Sequence, residues 1–261
     1  MKPKIQYKGL SKDEVYLISR AEYEKQRFIG GEYARKIFGD ARKAANVLDR
    51  LKRKGRLTQI ERGKYFIVPI RSPNQLWAPN EFIAAKYWMG ESPYYIGYFS
   101  MYNYWGFTEQ VPQTVFILNT KKSRSKKIGD VKFKAVKIDN SKYYGIIKIK
   151  IEDEDICISD KERTMVDFIY NPVGTFNNIK QVLKENLDEM DITRLIDYLI
   201  RFPVVAVRKR AGYLLEQLNL SARYLNRLKK YLGNKNTFVV LDPSGKRSGK
   251  INKEWGVIVN R

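Results

Sequence analysis

The order of elements within residues 31–67 constrains the fold of this chain more than any other feature. A short helical segment is followed by the turn Phe38-Gly39-Asp40 and then by a second helical segment that carries many cations. Two strand-like segments come next, joined at Arg62-Gly63-Lys64, where the glycine supplies the positive φ that a tight hairpin turn commonly requires. This order predicts a winged helix-turn-helix.

The cationic segment has one apolar face and defined ends. Asp40 stands where an N-cap is expected, and Gly55 stands just after the last turn, so a helix of about fourteen residues is predicted between them. Four apolar residues recur at helical spacing and would pack against the rest of the unit. They are Ala44, Val47, Leu48 and Leu51.

The polar residues of this segment and of the hairpin tip predict contact with duplex DNA. Residues 1–70 contain 18 Lys and Arg and 8 Asp and Glu, a difference of +10. Arginine and asparagine suit guanine and adenine edges, whereas lysine mostly contacts phosphate. A merely solvated basic face is the alternative. The residues predicted to bind DNA are Arg42, Lys43, Asn46 and Arg50 on the helix and Arg62 and Lys64 on the wing.

Composition narrows the function classes. A net charge of +22 and a pI near 9.8 make a polyanion the expected partner, and they also predict weak nonspecific binding to nucleic acid. The chain has no histidine and a single cysteine, Cys157, which excludes histidine-dependent catalysis and multi-cysteine zinc sites. We therefore expect no metal and no cofactor. We also expect a cytoplasmic protein without membrane contact, because no apolar run has the length of a membrane span.

The remaining sequence predicts an α+β protein of two domains. The first helix is expected over residues 11–27, with Val15, Ile18 and Tyr23 facing inward. Two prolines near residue 71 place the boundary between a winged domain, residues 1–73, and a C-terminal domain, residues 74–261. The latter is predicted to be mixed α/β with a helical bundle portion. Its elements are a helix at 80–89, strands at 114–118, 131–138 and 146–151, helices over 161–231, and strands at 238–241 and 256–259.

Three local patterns of the C-terminal domain have competing interpretations. The aromatic block over residues 94–107 lacks cations, which favours a packed core over a platform for nucleic-acid bases. Ser159 and Glu162 fit a capping box that begins a helix. A basic run after residue 120 is either a solvated loop or a second loop that contacts phosphate. Its cations are Lys121, Lys122, Arg124, Lys126 and Lys127.

The C-terminal half resembles the AbiEi antitoxin family. The resemblance rests on four motifs in order, which together cover most of residues 80–260. They are residues 95–120 with Asn103-Tyr104-Trp105-Gly106-Phe107, then Ser159-Asp160-Lys161-Glu162-Arg163-Thr164 with Val166-Asp167, then Arg210-Ala211-Gly212-Tyr213-Leu214-Leu215-Glu216, and finally residues 241–260.

The resemblance implies a type IV antitoxin. Such a protein represses its own operon through the N-terminal winged helix and counteracts a nucleotidyltransferase-like toxin of the AbiEii type without binding it stably. We therefore expect double-stranded DNA as a partner, in the form of the chain's own operator. Because one winged unit contacts few base pairs, the operator is expected to contain repeated half-sites.

Two other functions remain open. A family member without a toxin would act as a solitary winged-helix transcription factor. A metal-dependent nuclease could use Asp130 and Lys132 together with the acidic residues 152–155, although a polar hairpin turn explains that acidic run equally well. We expect that the protein is not an enzyme.

Overall fold

The computed structural model describes residues 9–70, 79–173, 176–234 and 236–260. Contacts within the chain form two units, residues 1–91 with 125–133 and residues 92–124 with 134–261. The predicted boundary at residue 73 lies outside the described residues and stays a prediction. The protein is α+β, as the sequence predicts.

The N-terminal unit begins with the elements of a winged helix-turn-helix in their usual order. Helix α1 is preceded by Ser11, whose side chain accepts from the Glu14 amide while the Glu14 carboxylate accepts from the Ser11 amide, so a capping box fixes the start of the helix. The elements are α1 (Lys12–Tyr23), β1 (Phe28–Gly30), α2 (Gly31–Phe38), α3 (Ala41–Arg53), β2 (Leu57–Glu61), β3 (Lys64–Ile67) and α4 (Glu81–Met89).

The first helix does not present the predicted inward face. Ile18 is buried, but Val15 is 41% exposed and Tyr23 is 88% exposed, so the prediction for those two residues was wrong. Leu17 and Ala21 pack inward instead, together with apolar residues of α3. The inward position one turn before Ile18 belongs to the buried carboxylate of Glu14, which simple apolar periodicity overlooks.

Three antiparallel strands form the sheet of this unit, in the order β1-β3-β2. Strands β2 and β3 are the predicted wing hairpin, with Gly63 at φ +74° in its turn. Strand β1 pairs with β3 through Phe28 and Phe66, and it was not predicted, because three residues are too short to show alternation. This strand joins the wing to the start of α2.

The strands of the C-terminal half form two further sheets. A six-stranded sheet has the order β6-β7-β5-β4-β9-β8, with β4 and β9 parallel, and a three-stranded sheet has the order β10-β12-β11. The strands are β4 (Tyr94–Ile96), β5 (Thr114–Asn119), β6 (Arg124–Ile128), β7 (Val131–Lys137), β8 (Ile146–Ile151), β9 (Glu154–Ser159), β10 (Val239–Val240), β11 (Lys250–Asn252) and β12 (Val257–Val259).

Helices make up most of the rest of the second unit, residues 92–124 and 134–261, and they contribute most of its core. The aromatic block packs as predicted, since Tyr95, Tyr102 and Phe107 are buried. Trp255 packs so closely on Gly212 that a Cβ there would lie 2.0 Å from the indole ring. The helices are α5 (Phe99–Tyr104), α6 (Lys161–Tyr170), α7 (Phe176–Asn186), α8 (Ile192–Arg201), α9 (Val205–Gln217) and α10 (Ala222–Lys229).

Helix α6 begins one residue later than the capping-box pattern predicts. Asp160 is the N-cap and accepts from the Arg163 amide at 2.7 Å. Ser159 bonds the Thr164 hydroxyl instead, and Glu162 accepts from the Asp191 amide at 2.8 Å. The predicted helix is confirmed, but the predicted cap was wrong. The carboxylate of Asp160 accepts from an amide of the first turn, so Glu162 is free to accept from a distant amide.

No helix in the described part of the chain has the length and apolarity needed to cross a membrane.

Candidate nucleic-acid interface

Helix α3 has the ends that the sequence predicts. The Asp40 carboxylate accepts from the Lys43 amide at 2.8 Å, and Gly55 follows the helix with φ +70°. Gly39, also at positive φ, turns the chain between α2 and α3. The predicted apolar stripe is buried along its whole length. The remaining surface of α3 therefore has three parts, which are a flank toward α1, an outer face, and a flank toward the wing.

The flank toward α1 is neutralised by a buried acid. Glu14 on α1 is fully buried, and its carboxylate accepts from Arg50 Nε at 3.1 Å and from Lys54 Nζ at 2.6 Å. Burial by itself would raise the pKa of Glu14, but the hydrogen bonds from Lys54, the Ser11 amide and Arg50 outweigh it and lower this pKa to about 2. Glu14 is thus charged at neutral pH and connects α1 to α3.

Lys43 lies on the same flank. Its Nζ is 3.1 Å from the Asp13 carboxylate, and both side chains are about half exposed. Of the helix residues predicted to contact DNA, Lys43 and Arg50 are therefore directed toward carboxylates of α1. Exposed ion pairs of this kind are weak enough to be exchanged for a phosphate, whereas the pair with buried Glu14 is not.

The outer face of α3 lies opposite the buried stripe. Arg42 and Asn46 are exposed there, and Arg42 pairs with no carboxylate within the described residues. Asp49 and Arg53 continue the same face at helical spacing and form an exposed pair at 2.9 Å. Arg53 is 70% exposed and was not singled out from the sequence, although its spacing from Arg42 and Asn46 would have indicated it.

An open groove of about 610 Å³ runs between α2, α3 and the wing. Its α3 side is apolar, because Ala41, Ala45 and Leu48 are the α3 residues that line it. Arg35 of α2 and Arg62 of the wing stand on its two sides, and neither pairs with a carboxylate within the described residues. Glu32, Gly31, Gly63 and Tyr65 complete the lining.

The wing tip presents its two predicted cations differently. Arg62 is exposed and borders the groove. Lys64 is about half exposed, and its Nζ lies 3.8 Å from Glu61 Oε2 on the opposite strand. At the start of α2, the Gly31 amide donates to the Gly63 carbonyl at 3.1 Å, so this hydrogen bond attaches the wing tip to the helix. The groove is therefore bordered by backbone that is held in place on both sides.

Other basic segments of the chain are less suited to contact nucleic acid than the surface of α3 and the wing. The predicted basic loop is partly a strand, since β6 begins at Arg124, although Lys121, Lys122 and Lys127 are exposed. Three consecutive cations on α9 are buried and donate to backbone carbonyls of Tyr231, Asn234 and Val240, among others, so they stabilise the C-terminal unit. These cations are Arg208, Lys209 and Arg210.

The residues of the nuclease alternative do not form a recognisable metal site. Asp130 is fully exposed in a hairpin turn, 3.2 Å from Lys127, and Glu152 has φ +55° in the turn between β8 and β9. The described residues contain no group of three or more acidic, histidine or cysteine side chains that could hold a metal.

The fold defines the N-terminal unit as a winged helix-turn-helix, and the whole chain has the fold of a known bacterial structure. No protein family and no curated protein matches the sequence. Among solved structures, the crystal structure of the RV2827C protein from Mycobacterium tuberculosis is similar, with a TM-score of 0.70 and 13% sequence identity. The match covers 97% of this chain and 94% of that one, so both units and their order in the chain have a counterpart there.

Proposed function

We propose that the N-terminal unit binds duplex DNA and that the protein is a cytoplasmic transcriptional autorepressor. One observation carries the proposal. The outer face of α3 presents Arg42 and Asn46, and within the described residues no carboxylate pairs with Arg42. This face borders a groove whose two sides present Arg35 and Arg62. An arginine and an asparagine on one helix face suit base edges in the major groove.

The groove suits a backbone of DNA better than it suits a small molecule. It is open to solvent, and the small residues in its lining, which are Gly31, Ala41, Ala45 and Gly63, let a sugar–phosphate chain approach closely. Arginines on both sides can each donate to phosphate oxygens. With α3 in the major groove of the DNA and the wing on the adjacent phosphate backbone, the DNA backbone between these two contacts would lie in the groove of the protein.

The test is binding of the purified chain to the DNA upstream of its own gene, compared with random DNA. We expect a discrete protected sequence, repeated as half-sites. If about five phosphates are neutralised, affinity falls roughly 10²- to 10³-fold between about 50 and 200 mM salt. Uniform protection, or an affinity that does not change with salt, would contradict the proposal.

Charge-matched variants separate the interface from the general positive charge. Arg42→Ala is expected to weaken preference for the operator, and Arg62→Ala to weaken binding to all DNA alike. Arg20→Ala is the control, because it removes the same charge from α1, where Arg20 pairs with Glu24 at 2.9 Å. Equal effects of all three variants would show that only net charge matters.

The antitoxin function is a further part of the proposal and rests on the resemblance of the sequence to AbiEi proteins. A nucleotidyltransferase-like toxin encoded beside this gene should arrest growth when expressed alone, and co-expression of this chain should restore growth. The two proteins should not co-purify. Failure of rescue at equal expression would leave a solitary transcription factor as the function.

A further inference from the structure

The outer face of α3 carries a carboxylate in a region that is otherwise cationic. Asp49 is the single acidic residue within α3 and is 61% exposed. It lies between Asn46 and Arg53 on the face that also presents Arg42. A carboxylate in this place weakens the attraction of the unit for phosphate, so its position must be explained by another contribution, either to stability or to recognition.

Stability does not supply that reason. Asp49 and Arg53 form an exposed pair four residues apart, and such pairs contribute little to folding. Aspartate is also a poorer helix former than alanine at an exposed position. By contrast, Asp13 and Glu14 do bind cations of α3 from α1, so the flank of this helix is neutralised without Asp49.

The hydrogen-bonding groups on base edges provide a reason for a carboxylate at this position. A carboxylate only accepts hydrogen bonds, and in the major groove cytosine offers the N4 amino donor. Guanine and thymine present acceptors that repel a carboxylate, and adenine places its N7 acceptor beside its donor. Arg53 holds one Asp49 oxygen at 2.9 Å, which orients the carboxylate and keeps a cation next to it for the adjacent phosphate.

We propose that Asp49 is a specificity-determining residue that accepts a hydrogen bond from a cytosine in the operator and disfavours duplexes with another base at that position. This inference rests on the proposed function, since it requires α3 to enter the major groove. It assigns to Asp49 a role different from that of Arg62. Arg62 increases affinity for any duplex, whereas Asp49, like Arg42, affects which sequence is preferred.

The test compares wild type with Asp49→Ala in selection from a random duplex pool, at one fixed salt concentration. Wild type should prefer cytosine at one position by about 5- to 150-fold, the discrimination expected of a good base contact. Asp49→Ala should lose the preference at that position, keep those at the others, and bind random DNA more tightly. Asp188→Ala is the control, because Asp188 is an exposed acid outside the winged unit.

The outcomes distinguish this inference from the proposed function. If Asp49→Ala and Asp188→Ala tighten binding equally and leave every base preference unchanged, Asp49 is a bulk charge and the inference is wrong, while the wild-type preferences still support an operator. If wild type itself selects no sequence, the proposed function fails and the inference fails with it.

Discussion

Replacing Glu14 by glutamine should loosen the attachment of α1 to α3. The carboxylate is fully buried, and the amide would leave Arg50 and Lys54 facing a neutral group. The pKa of Glu14 is lowered from 4.5 to about 2, and each pKa unit corresponds to about 1.4 kcal/mol. Because Arg50 remains 40% exposed to solvent, which screens the charge, we expect a loss of about 2–3 kcal/mol rather than more.

Hydrogen exchange measured by mass spectrometry can localise this loss. Amides of α1 and α3 that exchange through opening of the winged unit should exchange roughly 30- to 150-fold faster in Glu14→Gln. Peptides of α8 and α9 serve as internal references. Glu24→Gln is the matched control, because Glu24 is a partly exposed acid of the same unit whose partner, Arg20, is also exposed. Equal exchange in the two variants would refute the reasoning.

The pH dependence provides a second check with a fixed sign. Since the folded-state pKa of Glu14 is lowered, its contribution is complete above the unfolded value of 4.5 and is lost as the pH falls toward about 2. The difference in melting temperature between wild type and Glu14→Gln should therefore be largest near neutral pH and should narrow below about pH 4. A gap that widens on acidification would mean that Glu14 is not ionised in the folded protein.

Three further substitutions test other parts of the structure. Ala45→Leu should fill the groove and weaken binding to all DNA. The melting temperature should change little, because residue 45 is exposed and leucine is a good helix former. Unchanged affinity would show that the groove stays empty in the complex. Gly212→Ala should destabilise the C-terminal unit by about 1–3 kcal/mol in urea titrations, since its methyl group would overlap Trp255. Asp160→Ala should cost about 1–3 kcal/mol, because it removes both the α6 cap and the acceptor of the Tyr198 hydroxyl. An unchanged urea midpoint would show that water replaces the carboxylate.

The sequence predicted α3 well because the signals that define it are local. An N-cap, a glycine after the last turn and an apolar stripe all lie within the helix itself, and each is confirmed. The two sides of that helix could not be told apart in the same way. Arg50 and Arg53 are both cations off the stripe, yet Arg50 bonds a buried acid 36 positions earlier in the chain, while Arg53 faces outward. Only the packing of α1 decides between them.

Distant partners also explain the other differences. Glu14 occupies an inward position because two cations of α3 compensate its burial, and a single-helix pattern does not contain that information. The cations of α9 are similar, since Arg208 donates to the carbonyl of Tyr231, which lies beyond the next helix. Their contacts come from tertiary packing, so a count of Lys and Arg overstates the charge that is available to a partner.

The distribution of charge on α3 therefore favours a limited contact surface over a uniformly basic one. Asp13 and Glu14 neutralise the flank toward α1, and the wing side borders a groove that is lined by small and apolar residues, two arginines and the carboxylate of Glu32. Nonspecific attraction to DNA would arise from the whole chain at +22, whereas on the described surface of α3 the arginine without a carboxylate partner, Arg42, lies on the same face as the amide of Asn46. Long-range charge would bring DNA to the unit in a salt-dependent way, and the short outer face would then determine which sequence is retained.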